Sequence, residues 1–125
     1  MRMVLCLMLA LVSAPACAEW VKARENAQFV TYIDWDIVKE GNVRRVWYLQ
    51  DVKKRVSAEI GGFLSAKSRW EFDCGLKKAR VVELATFSGP MTKGKRLSQD
   101  NEADEWAAIP PDSDIELMSM LACDK

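Results

Sequence analysis

From residue 68 to residue 74 polar and apolar side chains alternate strictly. Arg69, Glu71 and Asp73 point one way, and Trp70, Phe72 and Cys74 the other. A period of two is the signature of a half-buried β-strand. Cys74 is therefore expected on the core face, in line with two large aromatic rings. The same reading gives a short first strand over 20–23 and a second over 27–34. In the second, Phe29, Thr31 and Ile33 lie on one side and Val30 and Tyr32 on the other. Glu40-Gly41-Asn42 is a turn signal. It leads into a long β-rich run over 43–52, with Val43, Trp47 and Leu49 on one face and Val46, Tyr48 and Val52 on the other. Residues 53–66 read as a loop, because Lys53-Lys54-Arg55 is basic and Gly61-Gly62 is flexible. A strand over 79–87 is rich in β-branched residues and stops at Ser88-Gly89-Pro90. Residues 95–98 read as a short edge strand and 99–105 as an acidic surface loop. Residues 106–109 read as a segment that packs back onto the sheet.

The end of the chain changes period. Pro110 and Pro111 push the residues before them toward extended geometry. Ser113-Asp114-Ile115-Glu116 has the S-x-x-E form of a capping box, and Asp114 and Glu116 suit the positive end of a helix dipole. A helix over 114–122 is predicted. It carries Ile115, Leu117, Met118, Met120 and Leu121, an arc too broad to select one buried face by periodicity alone.

The N-terminus reads as an address label. Arg2 is a positive n-region, residues 3–12 an apolar h-region, and Ala16-Cys17-Ala18 an A-x-A cleavage site. Ten apolar residues are too few to span a bilayer. Residues 1–18 are thus expected to be a signal peptide and 19–125 a single domain large enough for its own core. Lipidation at Cys17 is the alternative, although Ala14 and Pro15 suit such a site poorly. Of the four cysteines in the chain, two belong to the leader. The even pair that remains, Cys74 and Cys123, suggests a disulfide in an exported chain; two independent buried thiols are the other reading. A bond would draw the end of the helix onto the aromatic face of the sheet. The predicted fold is α+β: an antiparallel β-sheet of about five or six strands, with one C-terminal helix packed on a face and tethered by the disulfide.

Charge narrows the function. The chain has 18 basic and 18 acidic residues, and removal of Arg2 leaves the body slightly acidic. No global basic field marks it for nucleic acid. There is no histidine, so the commonest general base and metal ligand is missing. With Cys74 and Cys123 paired, thiol chemistry and zinc-thiolate sites fall away as well. Gly89-Pro90-Met91-Thr92-Lys93-Gly94-Lys95-Arg96 comes near a phosphate-binding loop. It fails where Arg96 replaces the hydroxyl that would hold magnesium, and no helical pattern follows. Asp34 and Asp36 offer too few oxygens for a calcium site and read as strand-end or turn acids. No cofactor, metal or catalytic residue is expected. Three basic groups remain as a candidate binding surface: Lys53, Lys54 and Arg55; Lys77, Lys78 and Arg80; Lys93, Lys95 and Arg96. If they converge they could bind sulfated glycans or acidic protein surfaces; solvated loop residues that blunt strand edges are the plainer reading. Of the five tryptophans, Trp47 and Trp70 fall on apolar faces. An exposed Trp20, Trp35 or Trp106 would mark a binding surface.

Several of these features occur in a particular order. They are Trp20, Tyr32-Ile33-Asp34, Gly41 ahead of Val46-Trp47, Phe72-Asp73-Cys74, Arg80, the turn from Gly89 to Gly94, Trp106, Ile109-Pro110-Pro111-Asp112-Ser113 and Cys123. In that order the chain resembles the surface-adhesin protein E family of Gram-negative bacteria over nearly its whole mature length. The resemblance implies an antiparallel sheet with a disulfide-tethered C-terminal helix and a place in the bacterial envelope, in the periplasm or at the cell surface. It also implies a protein or glycan partner, such as the host extracellular matrix. The expectation is a small exported adhesin-like binding module without catalysis. The alternative is a periplasmic accessory or inhibitor protein acting on an envelope or host enzyme.

Overall fold

The computed structural model describes residues 19–53 and 61–124. Its described residues form one antiparallel sheet of eight strands and one C-terminal helix. The strands are β1 (Trp20–Glu25), β2 (Phe29–Asp34), β3 (Val38–Glu40), β4 (Val43–Val52), β5 (Ser65–Asp73), β6 (Lys78–Phe87), β7 (Arg96–Asp100) and β8 (Ala107–Ala108); the helix is α1 (Asp114–Cys123). The order across the sheet is β1-β2-β4-β5-β6-β7. Both β2 and β3 lie along β4, and both β7 and β8 lie along β6. Five or six strands were expected; the eight strands lie along six lines of backbone, two of which are broken. The third strand was not expected. All three of its residues are exposed, so it carries no apolar alternation. It exists because the turn at Gly41, with φ of +59°, folds Glu40 back onto Val43. The central strand begins at Ser65, three residues before its strict alternation, because Ser65 and Ala66 already pair with Asp51 and Gln50.

The helix covers the face that carries Ile33, Val46, Tyr48, Phe72 and Ala79, and closes the core with Met118 and Ala122. Ile115 and Leu121 pack against the same cluster, while Met120 turns out to solvent. The helix starts where the capping box placed it. Ser113 Oγ accepts from the Glu116 amide at 3.1 Å, and Glu116 Oε1 reaches back to the Asp112 amide at 3.4 Å. Asp114 also pairs with Arg24 of β1. The far end is fixed covalently. Cys74 and Cys123 form a disulfide, with Cα atoms 5.8 Å apart.

One irregularity decides what the second face carries. Between Arg69 and Trp70 the register with β6 slips: Arg69 faces Glu83, but Trp70 faces Val81. The extra residue on β6 is a β-bulge, and it inverts side-chain parity beyond it. Ala85 and Glu83 lie on the helix-free face before the bulge. Arg80 joins them after it, opposite Glu71. Without the bulge, Arg80 would point toward the helix.

Candidate functional site

The helix-free face is built from cross-strand pairs. Strand β4 contributes Arg45 and Trp47, β5 contributes Lys67, Arg69 and Glu71, and β6 contributes Arg80 and Glu83. Trp47 stands directly opposite Arg69. Lys67 Nζ lies 4.2 Å from the centre of the Trp47 ring, and the Arg69 guanidinium lies 5.5 Å from it. Trp20, on the edge strand, is 6.0 Å from the same Lys67 amine. Cations held over an indole face gain electrostatically from the ring quadrupole. Below this pair the face changes to an ion cluster. Glu71 is only 5 % exposed and accepts from Arg45 Nε and Arg80 Nε, each at 2.8 Å. Arg45 also reaches Glu40 at 3.0 Å. Arg80 stacks 4.5 Å from the Trp106 ring. The pairing of Ala107 with Ala79 sets Trp106 beside Arg80.

Burial raises the Glu71 carboxyl, but hydrogen bonds and charge from Arg45 and Arg80 outweigh it, so the group lies below the ordinary carboxylate range. Glu71 is therefore ionised at neutral pH and saturated with donors. It is a structural counter-ion, not a group free to take up a proton. The guanidiniums it holds are largely neutralised too. Lys67, Arg69 and Arg96 differ: among the described residues none makes an ion pair. A cavity of about 250 Å³ opens beside two of them, lined by Trp47, Lys67, Glu83, Ala85, Phe87, Thr92, Arg96 and Gln99. In it Gln99 Nε2 donates to Glu83 Oε1 at 3.1 Å, and the Arg96 guanidinium lies 5.7 Å from the Phe87 ring.

Among the described residues, the basic groups singled out in the sequence do not converge on one surface. Lys53 lies at the end of β4 and approaches Glu25 at 3.9 Å; Lys54 and Arg55 lie outside the described residues. Lys77 and Lys78 are exposed at the opposite end of the sheet, beside the turn joining β5 to β6. Arg80 is on the helix-free face, tied to Glu71 at 2.8 Å. Lys93 and Lys95 are exposed in the turn between β6 and β7, while Arg96 borders the cavity. Trp47, Lys67 and Arg69 were missed as a site. The signal was present: 47 shares parity with 45, and 67 with 69 and 71, so cations and a tryptophan were due on one face. Trp47 instead read as core because Val43 and Leu49 share that face.

The turn over 89–94 leaves little room for a phosphate. The Met91 amide is taken by Asp51 Oδ1 at 2.9 Å, Thr92 by Ser65 Oγ at 3.0 Å and Lys95 by Ser88 Oγ at 2.8 Å. Amides engaged in this way cannot cradle an anion. Asp34 caps its own turn, accepting from the Asp36 amide at 2.9 Å. No group of three or more acidic, cysteine or histidine residues that could hold a metal occurs among the described residues. No helix among them is long and apolar enough to cross a membrane. The signal-peptide segment, with Cys6 and Cys17, lies outside the described residues.

Comparison with known proteins follows the same lines. Residues 20–124 match the family model described as surface-adhesin protein E. Crystal form II of Haemophilus influenzae protein E is similar to this chain in structure. Its TM-score is 0.59 at 13 % identity, covering 83 % of this chain and 96 % of that one. Protein E from non-typeable Haemophilus influenzae gives 0.56 at 13 % identity, covering 85 % and 84 %. At that identity the likeness is one of fold. No curated protein matches the sequence.

Proposed function

The chain belongs to the surface-adhesin protein E family, and on that premise we propose that it is an exported, adhesin-like binding module of the Gram-negative envelope. Residues 1–18 direct export, and the domain from residue 19 to 125 works in the periplasm or at the cell surface. The protein holds a macromolecular partner and performs no reaction on it. The observation that carries this reading is the family match over residues 20–124. The helix-free face suits the role. It is cross-braced by the Glu71 ion cluster and sets three half-buried tryptophans among cations. Aromatic and arginine side chains on such a platform are the residues that dominate binding energy at protein interfaces.

The test is solid-phase binding of the oxidised protein to a panel of extracellular-matrix proteins and glycans at physiological salt. Saturable binding to at least one member, reduced by substitution on the helix-free face, is expected. Flat responses across the panel would overturn the adhesin role.

A further inference from the structure

The cavity beside Trp47 points to a more specific partner. We propose that the groove bordered by Trp47, Lys67, Glu83, Phe87, Arg96 and Gln99 is a subsite for one unit of an acidic glycan, a uronate or sulfated sugar. This rests on the adhesin reading above and names the class of partner.

Charge sorts the candidates first. Arg45 is paired with Glu40 and Glu71, and Arg80 with Glu71, whereas Lys67, Arg69 and Arg96 make no ion pair among the described residues. Lys67 and Arg96 border the cavity, and Lys67 and Arg69 are both held over the Trp47 ring. In the cavity two cations face the single carboxylate of Glu83, and cations free of an ion pair and held near aromatic rings attract a carboxylate or sulfate with little further loss of side-chain freedom. Shape comes second. A volume of about 250 Å³ lies below the range typical of drug-sized ligands and suits a single sugar ring. The half-buried indole offers apolar surface to the C–H face of that ring, and the largely buried Phe87 ring adds to the apolar lining.

Glu83 decides between a glycan and an acidic peptide. Its carboxylate sits in the same cavity and is bonded to Gln99 at 3.1 Å. A run of acidic side chains would meet repulsion there. A sugar brings hydroxyl donors that Glu83 accepts and that Gln99 can join, alongside the anionic group that Lys67 and Arg96 hold.

The experiment is calorimetric titration of the oxidised protein with size-defined heparin oligosaccharides, hyaluronan oligosaccharides, neutral dextran and polyglutamate. The acidic oligosaccharides bind, more weakly as salt rises, and dextran does not. Lys67→Gln and Arg96→Gln each weaken the binding roughly three- to tenfold, while Lys77→Gln at the far end of the sheet leaves it unchanged. Glu83→Gln separates recognition from plain charge: it weakens oligosaccharide binding while strengthening polyglutamate binding. The inference is overturned if Glu83→Gln strengthens oligosaccharide binding, if polyglutamate binds as tightly as the glycans, if the loss follows Lys77 and not Lys67, or if no acidic oligosaccharide binds. In the last case, retained binding of a matrix protein leaves the adhesin role standing; loss of both removes it.

Discussion

Breaking the Cys74–Cys123 bond should cost this protein more than any single surface substitution. The bond joins residues 49 apart in sequence. In the chain-entropy model, closing a loop of about 50 residues removes about 14 cal/mol/K from the unfolded chain, or about 4 kcal/mol at 25 °C. The helix has other anchors: Asp114 pairs with Arg24 at its start, and Ile115 and Leu121 pack half-buried on the core. Among its residues only Met118 and Ala122 are buried, and burial of a methionine contributes about 1.5–3 kcal/mol. The Ser113 cap adds about 1 kcal/mol. Those anchors act in the folded state, whereas the disulfide acts by constraining the unfolded chain. At about 4 °C per kcal/mol for a domain of this size, reduction should lower the melting temperature by about 15 °C. Circular-dichroism melts of the oxidised protein, the reduced protein and a C74S/C123S variant measure this. Hydrogen exchange should show the amides of 117–123 losing protection before those of β4 and β5. A fall of less than about 4 °C on reduction, or a helix as protected as the central strands, would refute the reasoning.

Three further outcomes follow from the packing. Glu71→Gln should lower stability by about 1–3 kcal/mol at pH 7, toward the lower value because its partners Arg45 and Arg80 remain 36 % and 29 % exposed. Because the folded carboxyl lies below its unfolded value of about 4.3, that stability is complete above the unfolded value and lost as pH falls through the folded one. Urea unfolding at pH 7 and pH 2.5 should therefore show the difference between wild type and variant shrinking in acid. Met118→Ala removes a side chain 3 % exposed and should cost about 2–5 kcal/mol, whereas Met120→Ala, 63 % exposed, should stay within about 0.5 kcal/mol. Ser113→Ala deletes the acceptor of the Glu116 amide and should cost about 1 kcal/mol, seen as earlier fraying of the first helical turn in hydrogen exchange.

What was legible in the sequence was whatever a local period encodes. Alternation placed Trp70 and Phe72 on the core face, and the S-x-x-E spacing placed the start of the helix at Asp114. The cysteine count, read with the expectation of export, gave the long-range tether that the broad apolar arc of the helix could not. The candidate binding face was harder because its meeting points depend on register between strands. The bulge at Arg69 and Trp70 turns Arg80 toward Glu71, and no residue near Val81 or Val82 announces it. Two cations flanking Arg80 in sequence, Lys77 and Lys78, stay at the sheet end, so grouping basic residues by sequence proximity was the wrong guide. Lys67 and Arg69 were separated from Trp47 by twenty residues and joined to it only by strand pairing.

The side of the sheet that meets the partner is the point most open to direct measurement. Hydroxyl-radical footprinting of the oxidised protein, with and without a size-defined heparin oligosaccharide, reports it residue by residue. Protection of Trp47 and no change at Met120 or Leu76 is the predicted pattern. Protection of Met120 and Leu76 with Trp47 left as reactive as in the free protein would place the partner at the disulfide end and contradict the account.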